Sequence, residues 1–332
     1  MEVRKFGTQA LGLASLCFAL MVLGSIVRTT DSGLSCPDWP MCFGALVPSM
    51  DIQVFLEWFH RLVALCLGIL LFWMSVKVIR SPILRVVYSK EIAFALALFL
   101  FQCVLGGLTV LRLLDPSVVS SHLLTALIFL STLLWMWRRS TYYQLDTGKH
   151  YAPRTLITTR LLLTIATLLL YLQLGIGGMV SSNHASLVCP DFPTCFGQWI
   201  PPASFHLWVQ MIHRFVGVSL FVFALFLALR RKSGLPLLTG LAIRFFAPLM
   251  AVQIVIGVAS IYYALPLWAV AGHHANAVLI FSLLIVGTME LYLTPQLKRG
   301  GSFGKTRKSA RSVAEGSLGR EHLASGPWKG AP

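Results

Sequence analysis

Long stretches without a single charge constrain this chain more than any other feature. Residues 6–27, 92–111, 117–137 and 161–183 each run uncharged for 20 residues or more, and residues 245–289 do so for 45. A helix needs roughly 20 apolar residues to cross a bilayer. The four shorter runs predict one span each, and the long one predicts two, broken near Pro266. Two further runs, 62–76 and 215–229, hold only 15 residues each. That is about 22 Å of helix against a hydrocarbon core of ~30 Å. These two helices must extend upstream, through Glu57-Trp58-Phe59-His60-Arg61 and Gln210-Met211-Ile212-His213-Arg214. The reading is an all-α integral membrane protein of eight transmembrane helices, set in the lipid bilayer, with ionisable groups drawn into two of them.

Composition agrees. Of 332 residues 56% are hydrophobic and 12% charged, and the mean hydropathy is +0.76. These values exclude a soluble globular enzyme and a disordered chain. The net charge of +15 does not mark a nucleic-acid partner, because the positive residues sit in short clusters between apolar runs. Residues 296–332 alone carry +6 of it, and read as a basic cytoplasmic tail without fixed structure. Arg4 and Lys5 before the first run resemble the start of a signal peptide. The run is too long for one, and no small-residue cleavage site follows, so it is read as the first span. Lys and Arg crowd alternate loops, such as Lys77 to Lys90 and Arg138 to Arg160. The loops at 29–58 and 182–207 have none. By the positive-inside rule both termini are cytoplasmic and the uncharged loops lie outside.

The chain is also a duplication. Cys36-Pro-Asp-Trp-Pro-Met-Cys-Phe-Gly44 returns as Cys189-Pro-Asp-Phe-Pro-Thr-Cys-Phe-Gly197 at an offset of 153, and His60-Arg61 returns as His213-Arg214 at the same offset. His122, within His-Leu-Leu-Thr-Ala126, matches His273, within His-His-Ala-Asn-Ala277. Four helices per half is an even number, so both halves share an orientation. Two tandem four-helix bundles, related by a pseudo-two-fold axis along the membrane normal, are expected. The halves are 1–150 and 151–295, followed by the tail 296–332. Gln102, Gln173 and Gln253 each precede a glycine by four residues, at Gly106, Gly177 and Gly257. Such pairs share a helix face. They serve close helix packing or contact a ligand.

Seven cysteines divide into two groups. Cys17, Cys66 and Cys103 lie in apolar helices and read as inert core residues. Cys36/Cys42 and Cys189/Cys195 close short loops on the oxidising side and read as disulfides, structural or redox-active. A metal site is the alternative, although neither loop has a histidine at ligand spacing. Of nine histidines, His150 and His322 fall in basic cytoplasmic segments, and His184 and His206 fall in or beside the second outer loop.

His60, His122, His213 and His273, with its neighbour His274, fall inside spans, where ionisable residues are costly and functional by default. Each half offers two histidines at matched depth on two helices of one direction. That pattern suits axial ligation of a haem within a four-helix bundle. Proton relay or transport is the competing use. Arg61 and Arg214 follow two of the histidines and are placed to meet haem propionates. Glu57 lies three residues before His60, where the second half has Gln210. This points to chemistry in the first half and a held cofactor in the second. The simpler reading makes Glu57 an interfacial partner of Arg61.

With these residues in view, the sequence resembles the heme A synthase family over about residues 8–295. The resemblance implies an enzyme of terminal-oxidase assembly that oxidises the C8 methyl of heme O to a formyl group. Two hydroxylations and loss of water from a geminal diol yield heme A. It further implies a heme O substrate between His60 and His122, a heme b cofactor between His213 and His273, with His274 as the fallback ligand, and a catalytic carboxylate at Glu57. The cysteine pairs match those of the family's disulfide-bearing members. Its setting would be the bacterial cytoplasmic membrane or the mitochondrial inner membrane. Partners would include the heme O synthase, a haem farnesyltransferase, oxidase assembly factors, and a second copy in a homo-oligomer. Filling both axial positions of the substrate iron would move the reaction to the ring periphery, where a carboxylate stabilises positive charge at the methyl carbon. The rivals are a di-haem b-type electron-transfer protein, a transporter and the haem farnesyltransferase itself. The last needs Asp-rich Mg²⁺-diphosphate sites, and the chain has no Asp-x-x-x-Asp.

Overall fold

The computed structural model describes residues 1–144, 153–230 and 233–294. They form eight long α-helices: α1 Glu2–Thr29, α2 Ile52–Arg80, α3 Pro82–Leu111, α4 Pro116–Gln144, α5 Pro153–Ser182, α6 Phe205–Leu229, α7 Leu237–Tyr262 and α8 Leu267–Leu293. Each is long and apolar enough to cross a bilayer. The protein is therefore an integral membrane protein. The boundary between the expected halves, His150, and the tail with His322 lie outside the described residues.

Local chemistry sets the helix ends. The Asp51 carboxylate accepts the Val54 N–H at 2.8 Å and starts α2 far enough upstream to include Glu57 and His60. Ser81 ends α2 and caps α3, with Pro82 in the first turn, so the two helices are joined through one residue. The α3–α4 turn carries Leu113 and Leu114 at positive φ, and the α7–α8 turn carries Ala264 and Leu265 likewise. Leu114 N–H donates to Thr109 O at 2.8 Å, and Leu265 N–H donates to Ser260 O at 2.7 Å. The left-handed backbone costs these residues energy. The same cost recurs at matching places, so the duplication extends to turn geometry.

Helices α1 to α4 pack in a ring, α5 to α8 do the same, and α1, α4, α5 and α8 meet between the rings. The apolar stretch of α8 is 67% buried and that of α4 50%, against 22% for α3 and α6. The outer helices therefore turn most of their apolar surface to lipid, where side chains need no protein partner. This corrects the reading of Cys66 and Cys103. Cys66 is exposed and Cys103 half-buried, and only Cys17 is a core residue. An apolar neighbourhood in sequence marks a membrane helix and does not say which face is covered.

Near the C-terminal ends of α4 and α8, Arg138 on α4 pairs with Glu290 on α8 at 3.1 Å, and Glu290 also accepts the Thr239 N–H of α7 at 2.7 Å. Arg139 pairs with Glu91 across α3 and α4. These pairs, the first buried and the second half-buried, tie helices at the end opposite the histidines.

Candidate functional site

His60 is the ninth residue of α2 and His213 the ninth of α6, while His122 and His273 are each the seventh residue of α4 and α8. Equal offsets from the helix starts put all four at similar depth, as the sequence predicts. All four line one cavity of about 1220 Å³ that touches all eight long helices and the loops before α2 and α6.

Every histidine ring rests against a glycine on a neighbouring helix. A Cβ at Gly24, Gly106, Gly177 or Gly257 would come within 3.2, 3.5, 3.0 or 2.9 Å of Cε1 of His60, His122, His213 or His273. In each case Cε1 is the ring atom nearest the glycine. Nδ1 of His60, His122 and His273 is buried without a hydrogen-bond partner. The glutamines explain the glycine spacing. Gln102, Gln173 and Gln253 each donate Nε2–H to the carbonyl of His122, His213 and His273, at 3.0, 2.8 and 3.0 Å. Four residues further along, the glycine then faces the ring of the histidine whose carbonyl is held. Gly24 belongs to this set. The offset of 153 from Gly177 marks it, but Leu20 stands where Gln173 would repeat, so the motif was hidden.

The His213 and His273 ring centroids lie 6.3 Å apart. Two imidazoles holding one iron at roughly 2.0 Å each give a spacing of about 6.4 Å. The cradle and the spacing fit a bis-histidine haem. His274 also lines the cavity. The glycine contact and the Gln253 hydrogen bond nevertheless belong to its neighbour His273. Among the described residues no cluster of three or more His, Cys, Asp or Glu could hold a bare metal ion. His184 and His206 are not among the cavity-lining residues.

Above each histidine pair sits a disulfide loop, Cys36–Cys42 or Cys189–Cys195. Asp38 accepts the N–H groups of Phe43 and Gly44 at 2.7 and 2.8 Å, and Asp191 accepts those of Phe196 and Gly197 at 2.7 and 2.9 Å. Gly44 and Gly197 have φ of +67° and +71°, the left-handed region that a side chain disfavours. The Gly44 and Phe43 N–H groups hold the Asp38 carboxyl below the usual carboxylate range. The Thr194 hydroxyl, with the Gly197 and Phe196 N–H groups, pulls Asp191 down to about 2.

The arginines hold the loops from below. Arg61 donates to Asp38 O at 2.8 Å and to Met41 O at 2.5 Å; Arg214 donates to Asp191 O at 2.7 Å and to Cys189 O at 3.0 Å. Most of these Nη contacts are thus to loop carbonyls, where the sequence suggested propionates. Nε of Arg214 remains buried and unpartnered. Glu57 is 4% exposed. Its Oε1 accepts from Arg61 at 2.5 Å and its Oε2 accepts the Cys36 N–H at 2.8 Å. Gln210 donates to Ser186 O at 3.1 Å, and its own Oε1 is buried without a partner. Glu57 is thus both an Arg61 partner and a cavity-lining carboxylate.

One cavity-lining residue was not singled out in the sequence. Arg28, at the end of α1, donates to the hydroxyl and carbonyl of Ser181 at the end of α5. The two positions are equivalent under the 153-residue offset, so their contact joins the halves at corresponding points.

Known proteins are similar to this chain in sequence. A protein from Shewanella oneidensis named heme A synthase is 28% identical over 324 aligned residues, covering 82% of this chain and 92% of the relative. A protein of the same name from Bacillus cereus strain 03BB102 is 29% identical over 267 residues, covering 75% of this chain and 82% of the relative. Residues 8–285 match the sequence model of the cytochrome oxidase assembly protein family, COX15-CtaA. The chain belongs to that family.

Proposed function

We propose that this protein is a heme A synthase, an oxidoreductase that converts the C8 methyl of heme O to a formyl group for terminal-oxidase assembly. The single observation that carries the reading is the pair of matched histidine sites in one cavity, with a buried carboxylate beside only the first. His60 and His122 hold the substrate haem. His213 and His273 hold a resident heme b, which supplies one-electron transfer when bound. Nε of Arg214 is the donor left for a haem carboxylate in the second half.

Glu57 is fixed by two hydrogen bonds before any substrate arrives. A carboxylate has about four acceptor positions, so each oxygen keeps capacity. Its negative charge stabilises positive charge developing at the methyl carbon, and Oε1 or Oε2 orients an attacking water or takes its proton. Arg61 holds the carboxylate aimed, while the first disulfide loop, through Trp39 and Met41, closes the cavity. Residues 1–150 form the substrate half, 151–295 the cofactor half and 296–332 a cytoplasmic tail. Both termini lie on the cytoplasmic side of a bacterial cytoplasmic or mitochondrial inner membrane. The heme O synthase and oxidase assembly factors are the proposed partners.

Co-expression with a heme O-producing enzyme tests the reading. Chromatography of the extracted haems is expected to show heme A only when this protein is present. Heme O with no heme A would overturn it.

A further inference from the structure

The cavity is not symmetric. On α2 its lining runs from Glu57 to Phe72, but on α6 only from Gln210 to Val218. Past the histidine that is 12 residues in the first half and five in the second, or about 18 Å against about 7.5 Å of helix. The extension is a groove between α2 and α3, walled by Leu65, Gly68, Ile69, Phe72 and Phe99. Leu65, Ile69 and Phe72 are 59%, 59% and 65% exposed, so the groove opens sideways to lipid.

One residue pair stands out along this stretch. Gly68 corresponds to Phe221 under the 153-residue offset. A Cβ at Gly68 would lie 2.5 Å from Cζ of Phe99, so only glycine lets that ring stand where it does along the groove. In the second half Phe221 packs against the core and does not line the cavity. No charged side chain lines the groove beyond Arg61.

We infer that this groove seats the isoprenoid tail of the substrate haem, an inference that rests on the proposed heme O site at His60 and His122. Two axial nitrogens leave a macrocycle free to turn about the iron axis. A tail laid along α2 removes that freedom and fixes which ring edge faces Glu57. Lipid tails are as apolar as the groove, so the gain comes from shape and orientation and not from leaving water. The second half, without a groove, takes a haem with no tail.

The test titrates heme O and tail-free protohaem into the purified protein that already carries heme b, followed by absorbance. The wild type is expected to favour heme O at least ten-fold. Gly68→Phe copies the second half, and Ile69→Trp narrows the lipid-facing wall without entering the core. Both should bring the preference below three-fold and leave protohaem affinity intact. If Gly68→Phe loses its resident heme b, Ile69→Trp decides alone. A preference unchanged in the properly folded variants overturns the groove, even while wild type still makes heme A. Wild-type protein that neither binds heme O nor makes heme A overturns the function, and the groove with it.

Discussion

The two outer loops are near copies, while the residues beneath them differ. Both loops close with a disulfide, cap their turn with an aspartate and hang from an arginine. Below the first lies the ion pair Glu57–Arg61; below the second lie Gln210 and a guanidinium with no carboxylate partner. Duplication conserves what builds the site. Some of the differences face the cavity: Glu57 against Gln210 and Leu20 against Gln173, and Gly68 lines it where its counterpart Phe221 does not. On the proposed function, a frame built twice varies where the two haems would need different treatment.

The sharpest way to break this comparison is to remove each arginine. Arg61→Ala leaves a buried carboxylate unpaired, which costs roughly 3–5 kcal/mol. Arg214→Ala leaves only loop carbonyls short of donors, at about 1–3 kcal/mol. Thermal unfolding of the purified variants should rank Arg61→Ala well below Arg214→Ala. Equal losses would mean that the Glu57 charge does not distinguish the halves.

Glu57→Gln makes the first half resemble the second at constant volume. Loss of one electrostatic stabiliser lowers turnover by roughly 10²–10³. The variant should retain heme b and accumulate heme O or a hydroxylated intermediate. Wild-type heme A levels would reduce Glu57 to an anchor for Arg61 and the Cys36 loop.

Much of this was legible in the sequence. Uncharged runs set the eight spans, and the short runs at 62–76 and 215–229 forced His60 and His213 into helices. The repeat paired the histidines and disulfides. The glutamine–glycine pairs were visible, but their meaning was not, because it depends on which ring lies across the helix interface. The use of Arg61 and Arg214 was hidden for a related reason. Their guanidinium groups reach carbonyls of loops that fold back over them, a contact that no local sequence pattern shows. The contact of Arg28 with Ser181 crosses the two halves, and no local pattern announces it.

The glycine cradles give a smaller effect. Alanine at Gly177 or Gly257 brings a methyl within 3.0 or 2.9 Å of a ring carbon, whereas Gly106 leaves 3.5 Å, an ordinary contact. Pushing a ring off its rotamer costs about 0.5–1.5 kcal/mol. Heme b occupancy should fall severalfold in Gly177→Ala and Gly257→Ala and stay level in Gly106→Ala. A uniform response would deny the cradles any half-specific role.

The smallest effect separates the loops by acidity. Asp191 titrates near 2 when folded, below the ~3.9 of a free aspartate. A depressed carboxylate contributes stability above its unfolded value, and that contribution fades as pH falls through the folded value. The second loop should therefore hold its turn until pH approaches about 2. Asp38 shifts in the same direction but lacks a hydroxyl donor such as Thr194. On acidification, hydrogen exchange should show Phe43 and Gly44 losing protection before Phe196 and Gly197. Simultaneous loss would count against the added Thr194 bond.

The division of labour between the halves is tested most directly by the haems bound to single histidine variants, expressed with and without a heme O source. Without heme O, the wild type, His60→Ala and His122→Ala should all carry heme b with an unchanged low-spin spectrum, and His213→Ala and His273→Ala should lose it. With heme O, only the wild type should also yield heme A. Loss of heme b from His60→Ala or His122→Ala, with retention in both second-half variants, would contradict the assignment of substrate and cofactor to the two halves.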